Sequence, residues 1–459
     1  MEFSSKAAEM SARLDVNGDR RVSRTELAPL IKELNPNGDA TSTDLEAAAF
    51  AKTHTDLTKD DLTELRTLVT KSAAFTGSQI VMELPATRAT SGPVSHDPKA
   101  AAANIDKDLA RTGNPAGTAA KVGELKVSPF KFFRGTSPQF YREMIAGLKD
   151  SPLTKAPRTM LQGDIHPENF GVVRTGAPDA TGKVPVTFGL TDFDEATPGP
   201  ASFDLVRGMS SLVAAGWTDP GLMAEFLKAY AEGLGGNTTI EAPEVTTVLT
   251  KKGKQTDAKM MAERTTPDGK FNLEANKKNP DDRIDPASNQ SSEITTALAK
   301  VPWLEGQVVT DILRDQKGTA SSDLQAYDAV VGGTIVELKE LTPSNLAKQL
   351  SDAGLAPTGN TKSDLERYQA ASTLYLGDGA PKTAMVAVSG KIFLVKPRAA
   401  EKGSVKLESL KTPDQKAAYV RDMGRALGAA HGRSGDPAAL KAFVADPAKA
   451  GAMIALATT

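Results

Sequence analysis

Residues 161–205 read LQGDIHPENFGVVRTGAPDATGKVPVTFGLTDFDEATPGPASFDL, and the fold turns on how this stretch is read. It holds an Asp-x-x-x-x-Asn hexapeptide (Asp164 to Asn169), a β-rich run from Val184 to Leu190, the acidic group Asp192-Phe193-Asp194-Glu195, and then Asp204. An Asp that accepts a proton, followed five residues later by an Asn carbonyl oxygen, suits a loop that positions a nucleophile and holds a metal ion. A carboxylate arriving from the end of the following β-hairpin completes the hard oxygen shell that Mg²⁺ prefers. On this reading Asp164 is the general base or the orienting group for an acceptor hydroxyl, and Asn169 and Asp192 are Mg²⁺ ligands. His166, an imidazole inside the loop, is a candidate for metal, acid or base work, or for bracing the loop. Asp194 adds an anion beside the metal, and Glu195 is expected to be solvated. Asp204, on the next helix, is expected to anchor the loop from below.

The motifs Gly163-Asp164-Ile165-His166-Pro167-Glu168-Asn169, Asp192-Phe193-Asp194-Glu195-Ala196, Gly199-Pro200 and Asp204-Leu205 resemble the phosphotransferase end of the protein-kinase-like superfamily, as in aminoglycoside and choline kinases. More closely, the chain resembles a bacterial family catalogued as a domain of unknown function (DUF2252-like). Phe133-Arg134-Gly135, Asn169-Phe170-Gly171, Leu338-Lys339-Glu340, Lys402-Gly403-Ser404 and Ala430-His431-Gly432-Arg433-Ser434-Gly435-Asp436 carry that likeness, over residues 128–440. The resemblance implies an α+β, two-lobed kinase-like fold, an ATP and Mg²⁺ requirement, and transfer to a hydroxyl on a small molecule or a protein. It also favours the bracing role for His166, and it raises the prospect that Arg134, lodged among Phe130, Phe132 and Phe133, reaches a phosphate. A cation packed on aromatic rings is the other reading of Arg134.

The lobe that binds nucleotide is expected late in the chain. Tyr327 to Glu340 reads as two short strands around Gly332-Gly333, with Ile335, Glu337 and Lys339 on one face. Lys339 on such a strand neutralises ATP phosphates, held by a helical acid for which Glu366, on a helix predicted from Ser363 to Leu374, is the candidate. Ser389-Gly390 marks a hairpin turn between Thr383–Val388 and Lys391–Val395. Lys396, Arg398 and Lys402 follow it, with at least one expected at phosphate; Arg398 and Lys402 join Lys339, Glu366 and Arg134 as the cofactor-binding set. An ordinary kinase places these strands before the catalytic loop. Here they follow it, which predicts a circularly permuted kinase fold in which residues 318–431 spatially precede residue 160.

Ahead of this region stands a small duplicated pattern. Asp15, Asn17, Asp19, Ser23 and Glu26 occupy the oxygen-ligand positions of a calcium-binding EF-hand loop, with the Arg21 carbonyl at position 7. Asn35, Asn37, Asp39, Thr41, Thr43 and Glu46 repeat it twenty residues on. Arg20 and Ala40 stand where Gly favours the sharp turn, and Asn35 removes a charge, so turn chemistry without calcium is the rival reading. The expected organisation is an all-α calcium module (1–80), a linker (81–122), a helical catalytic lobe (123–317) and a nucleotide-binding lobe with closing helices (318–459). The polar segment 237–292 reads as a mobile insertion or lid within the catalytic lobe, and its Lys251-Lys252-Gly253-Lys254 as a solvated face.

Composition bounds the function. The 459 residues carry 55 Lys plus Arg against 57 Asp plus Glu, a near-neutral balance that offers no footprint for nucleic acid. Aromatics make up only 5%, so the core is Ala-rich, and the absence of cysteine excludes disulfides and thiolate chemistry. No apolar run approaches a bilayer span of about 20 residues. The opening residues lack a secretory profile, so a cytoplasmic enzyme is expected, with signal-independent export as the alternative. Two other classes compete with a kinase: a nucleotidyltransferase with ATP bound in reverse, and a pseudokinase or calcium-dependent scaffold.

Overall fold

The computed structural model describes residues 98–110, 115–148, 151–315, 324–356 and 363–458, together with the strands β1 (Arg21–Val22) and β2 (Met82–Glu83). The chain divides into two compact units, Met1–Thr90 and Ser91–Thr459. In the first, β1 and β2 pair antiparallel, with Arg21 opposite Glu83. The two calcium-loop expectations lie outside the described residues apart from Arg21 and Val22.

The second unit is a mixed α+β structure, with fourteen α-helices and small sheets among the described residues. It opens with α1 (Pro98–Ala110), α2 (Pro115–Leu125), α3 (Pro129–Gly135) and α4 (Ser137–Leu148). Helix thus occupies much of what reads as linker. Ala is the strongest helix former yet contributes no apolar period, so a reading by periodicity passes over an Ala-rich helix such as α1. Asp108 of α1 grips Arg142 of α4 through both carboxylate oxygens, at 2.6 and 2.8 Å.

The central stretch folds as two small antiparallel pairs. β3 (Arg158–Leu161) pairs with β6 (Thr197–Pro200), and β4 (Phe170–Arg174) pairs with β5 (Val186–Leu190). Two long helices follow, α5 (Ser202–Ala214) and α6 (Pro220–Leu234). The region expected as a mobile insertion holds regular structure packed onto the unit. It carries α7 (Pro243–Lys252) and α8 (Asp257–Arg264), and it buries Val245, Met260, Phe271 and Ile284. These apolar residues are too widely spaced to show a period, but each anchors a separate turn of chain onto the rest of the unit.

After α9 (Asn289–Leu298) comes a five-stranded antiparallel sheet made from β7 (Val309–Asp315), β8 (Ala326–Val331), β9 (Thr334–Glu340), β10 (Ala384–Val388) and β11 (Lys391–Pro397), in the order β10-β11-β9-β8-β7. Between β9 and β10 run α10 (Asn345–Asp352) and α11 (Asp364–Leu376). Side chains alternate across the sheet. Val336, Leu338, Phe393 and Val395 join Ile294 and Leu298 of α9 in one apolar cluster, whereas Ile335, Leu313 and Val330 meet Met260 and Phe271 on the other face. Lys339 shares the face of Ile335.

The chain closes with α12 (Pro413–His431), α13 (Pro437–Ala445) and α14 (Pro447–Thr458). α12 lies along α6 at a spacing that only glycine permits: a Cβ on Gly428 would stand 2.1 Å from the Tyr230 carbonyl, and one on Gly424 2.5 Å from that of Phe226. Backbones this close bury nearly all of Tyr230, Phe226, Met423 and Leu427 in the largest apolar cluster of the unit.

Candidate active site

The loop between β3 and β4 is fixed from four sides. Asp204, fully buried at the first turn of α5, accepts from the Gln162 and Gly163 amides at 2.7 and 3.0 Å and lies 3.1 Å from His431 Nε2. Its place in the structure is therefore beneath the loop, facing the backbone. The Tyr141 hydroxyl donates to the Gly163 carbonyl, the Tyr419 hydroxyl to the Pro167 carbonyl, and Asn169 Nδ2 to the Asp164 carbonyl at 2.9 Å. Gly163 has φ +84, and a Cβ there would meet the Glu195 carbonyl at 2.5 Å, so the loop touches the Asp192–Glu195 segment backbone to backbone.

Gln162 sews the two segments together. Its side chain accepts from the Asp164 amide at 2.8 Å and donates to the Thr191 and Asp192 carbonyls at 3.0 and 2.6 Å. With this support Asp192 adopts φ +58, a left-handed conformation that costs a non-glycine residue free energy and recurs at functional sites.

Asp164, Asp192, Asp194, Lys339, Arg134 and Ser137 all line one cleft, with about 920 Å³ of empty space, open solvent included. Across 147 residues of sequence, Lys339 Nζ comes within 3.2 Å of Asp192 Oδ1, and it also ion-pairs with Asp194. Asp192 keeps 47% of its side chain exposed. Surrounding protein disfavours its charge, but the ammonium of Lys339 and then that of Lys396 outweigh this and hold the carboxyl at about 2.

Asp164 is also held by a cation. Arg207 of α5, fully buried against the rings of Phe133, Phe140 and Tyr141, donates from Nε to Asp164 Oδ1 at 3.0 Å and pairs with it again through Nη2. Oδ2 is left facing His166 Nε2 at 3.7 Å. His166 is 1% exposed, and burial, then Arg134 and Arg207, push its pKa well down. A neutral imidazole that accepts from Arg134 Nε at 3.3 Å is a brace, not a proton shuttle at neutral pH.

The remaining predicted residues divide. Arg134 reaches the cleft, but its guanidinium ion-pairs with Glu168 and lies 5.7 Å from the Phe130 ring. Glu366 is not brought to Lys339: its carboxylate accepts from the Ser363 amide and hydroxyl, both at 2.8 Å, and closes a capping box at the start of α11. The Ser363-Asp-Leu-Glu366 spacing carries that signature in the sequence itself. Arg398 pairs with Asp328 and Glu337, and Lys402, 65% exposed, lies 3.8 Å from Glu337, so the carboxylates that both meet are acids of the sheet rather than Asp192 or Asp194. Glu195 is not solvated. It receives Ser344 Oγ, Asn345 Nδ2 and the Leu346 amide at 2.8–3.0 Å, capping the N-terminus of α10.

Gln162 and Arg207 escaped the sequence reading. A helical offset of three from Asp204 is the one signal that puts Arg207 on the loop-facing side of α5. Among the described residues no three His, Cys, Asp or Glu side chains gather as a metal cage. Asp192 and Asn169, whose Nδ2 is committed and whose Oδ1 meets no donor among the described residues, instead suit Mg²⁺, which keeps waters and needs one or two protein oxygens beside substrate phosphates.

Searches of curated proteins and of solved structures give no match. The family model for an uncharacterized protein conserved in bacteria, DUF2252, matches residues 114–232 and 235–458, which include every cleft residue named above. The chain therefore belongs to the DUF2252 family.

Proposed function

We propose that this protein is an ATP- and Mg²⁺-dependent phosphotransferase of permuted kinase-like architecture, acting on a hydroxyl of a small molecule or protein. The observation that carries the reading is the meeting of Lys339 with Asp192, 3.2 Å apart across 147 residues of sequence. A strand lysine and a hairpin-end aspartate have reason to converge when both must grip one polyphosphate. The permuted order draws support from the far end of α12. Thr159 Oγ1 donates to the His431 carbonyl at 2.9 Å, and the Met160 amide donates to Ser434 Oγ at 2.8 Å. Residues 431–434 thus abut the start of β3, where an unpermuted chain would run straight on.

The chemistry follows from charge and position. Asn169 and Asp192 would hold Mg²⁺, which when bound offsets negative charge on the nucleotide phosphates. Lys339 neutralises further phosphate charge. Asp164, with Oδ1 fixed by Arg207, presents Oδ2 to the acceptor hydroxyl. As the acceptor oxygen forms its bond to the γ-phosphorus, the bond from that phosphorus to the bridging oxygen breaks, ADP leaves, and the hydroxyl proton passes to Asp164 Oδ2.

Incubation with γ-labelled or α-labelled ATP, Mg²⁺ and a bacterial lysate tests the reading. Transfer of the γ label is expected. Transfer of only the α label would make the protein a nucleotidyltransferase, and nucleotide binding without transfer of either label would make it a scaffold. The calcium module enters as part of the same proposal: wild type should bind Ca²⁺, and Asp15→Ala with Glu26→Ala should weaken that binding in a calorimetric titration. A wild-type chain that takes up no Ca²⁺ at millimolar concentration contradicts it.

A further inference from the structure

Lys396 stands out among the cations of the sheet. On β11 it lies directly opposite Glu337, while Leu394 lies opposite Lys339, so Lys339 and Lys396 are diagonal neighbours on one face. Diagonal neighbours on a sheet stand about 7–8 Å apart, well within the joint reach of two lysine side chains. The other cations nearby all have carboxylates: Lys339 has Asp192 and Asp194, Arg398 has Asp328 and Glu337, and Lys391 has Glu340. Among the described residues Lys396 ion-pairs with none. Its polar partner is the phenol of Tyr368, 3.3 Å away, with the ring centroid at 5.8 Å. Tyr368 in turn packs on Phe193, between the two cleft aspartates, at 6.1 Å. A partly buried ammonium whose one close acceptor is neutral, and whose carboxylate neighbours Glu337, Asp192 and Asp194 act only from beyond ion-pair distance, keeps its donors open to an incoming anion.

Resting on the phosphotransferase reading, we propose that Lys396 is a second phosphate-gripping residue, which with Lys339 forms a two-ammonium clamp for the polyphosphate of a metal–nucleotide complex. While no phosphate is present, Asp192 and Asp194 occupy Lys339. When the carboxylate of Asp192 turns to a divalent cation, Lys339 is released toward phosphate, and Lys396 meets the same anion from the neighbouring strand. Metal and polyphosphate then favour each other's binding, because a metal that draws Asp192 away from Lys339 frees that ammonium for phosphate.

Calorimetric titration of the full chain with Mg²⁺·ATP and, separately, with Mg²⁺·tripolyphosphate tests the clamp. Lys396→Gln should weaken both by about tenfold to a hundredfold, the loss expected for a charge-assisted hydrogen bond. Lys396→Arg, which keeps the charge, should recover most of the affinity, and this rescue separates phosphate binding from a packing defect. Lys396→Gln with wild-type affinity for both probes would overturn the proposal. If wild type binds Mg²⁺·tripolyphosphate in a Lys396-dependent way but not Mg²⁺·ATP, the clamp stands and the nucleotide reading falls. If wild type binds neither probe, both fall together.

Discussion

Asp164→Asn should lower phosphoryl transfer by about 10²–10⁴-fold, the range that one positioned acid–base group contributes, while Mg²⁺·ATP affinity stays almost unchanged. The substitution preserves shape, and an Asn Oδ1 still accepts from Arg207, which now holds the carboxylate at 3.0 Å. What it removes is the second anionic oxygen that takes the hydroxyl proton. Steady-state rates beside calorimetric affinities separate the two effects. A variant with wild-type turnover would remove Asp164 from the chemistry, and one that also fails to bind nucleotide would recast it as part of the metal site.

The second large effect falls on folding. Asp204→Ala deletes a fully buried carboxylate that satisfies two backbone amides and faces His431. Each stranded buried donor costs about 1–3 kcal/mol, so a loss of roughly 3–5 kcal/mol is expected, a large share of a domain's stability. Urea unfolding followed by circular dichroism reads it. Asp204→Asn retains an acceptor for one amide and should lose less. Equal stability of Asp204→Ala and wild type would mean that the loop does not depend on α5 for its backbone hydrogen bonds.

Short-range patterns carried much of the architecture. The alternation of β9, the Ser389-Gly390 turn with both φ angles positive and the 19-residue α12 are all visible in the sequence as period, turn chemistry or capping signals. That Asp164 and Asp192 line one cleft was legible for the same reason, since one hairpin separates them. What stayed hidden depends on contacts distant in sequence. Gln162 is unremarkable until its amide is seen bridging two loops, and Arg207 until Asp164 arrives above it. Glu195 reads as solvated because nothing local reveals that α10, 150 residues later, begins against it. Glu366 shows the reverse error: a local signal, the capping box, was present and was passed over for a long-range partner. Segment 237–292 looked mobile because polarity dominates its composition, although Met260 and Phe271 are enough to seat it on the sheet.

The claim beneath all of this is that the cleft holds a divalent cation and a polyphosphate together. The most direct measurement is nucleotide binding by wild type and Asp192→Ala, with Mg²⁺ and with a chelator, followed in parallel by the electron paramagnetic signal of Mn²⁺ used in place of Mg²⁺. The account predicts that wild type binds ATP tightly only with the metal, that Mn²⁺ and ATP immobilise each other, and that Asp192→Ala loses both. ATP affinity that ignores the metal, or an Asp192→Ala variant that binds Mg²⁺·ATP as wild type does, would contradict it.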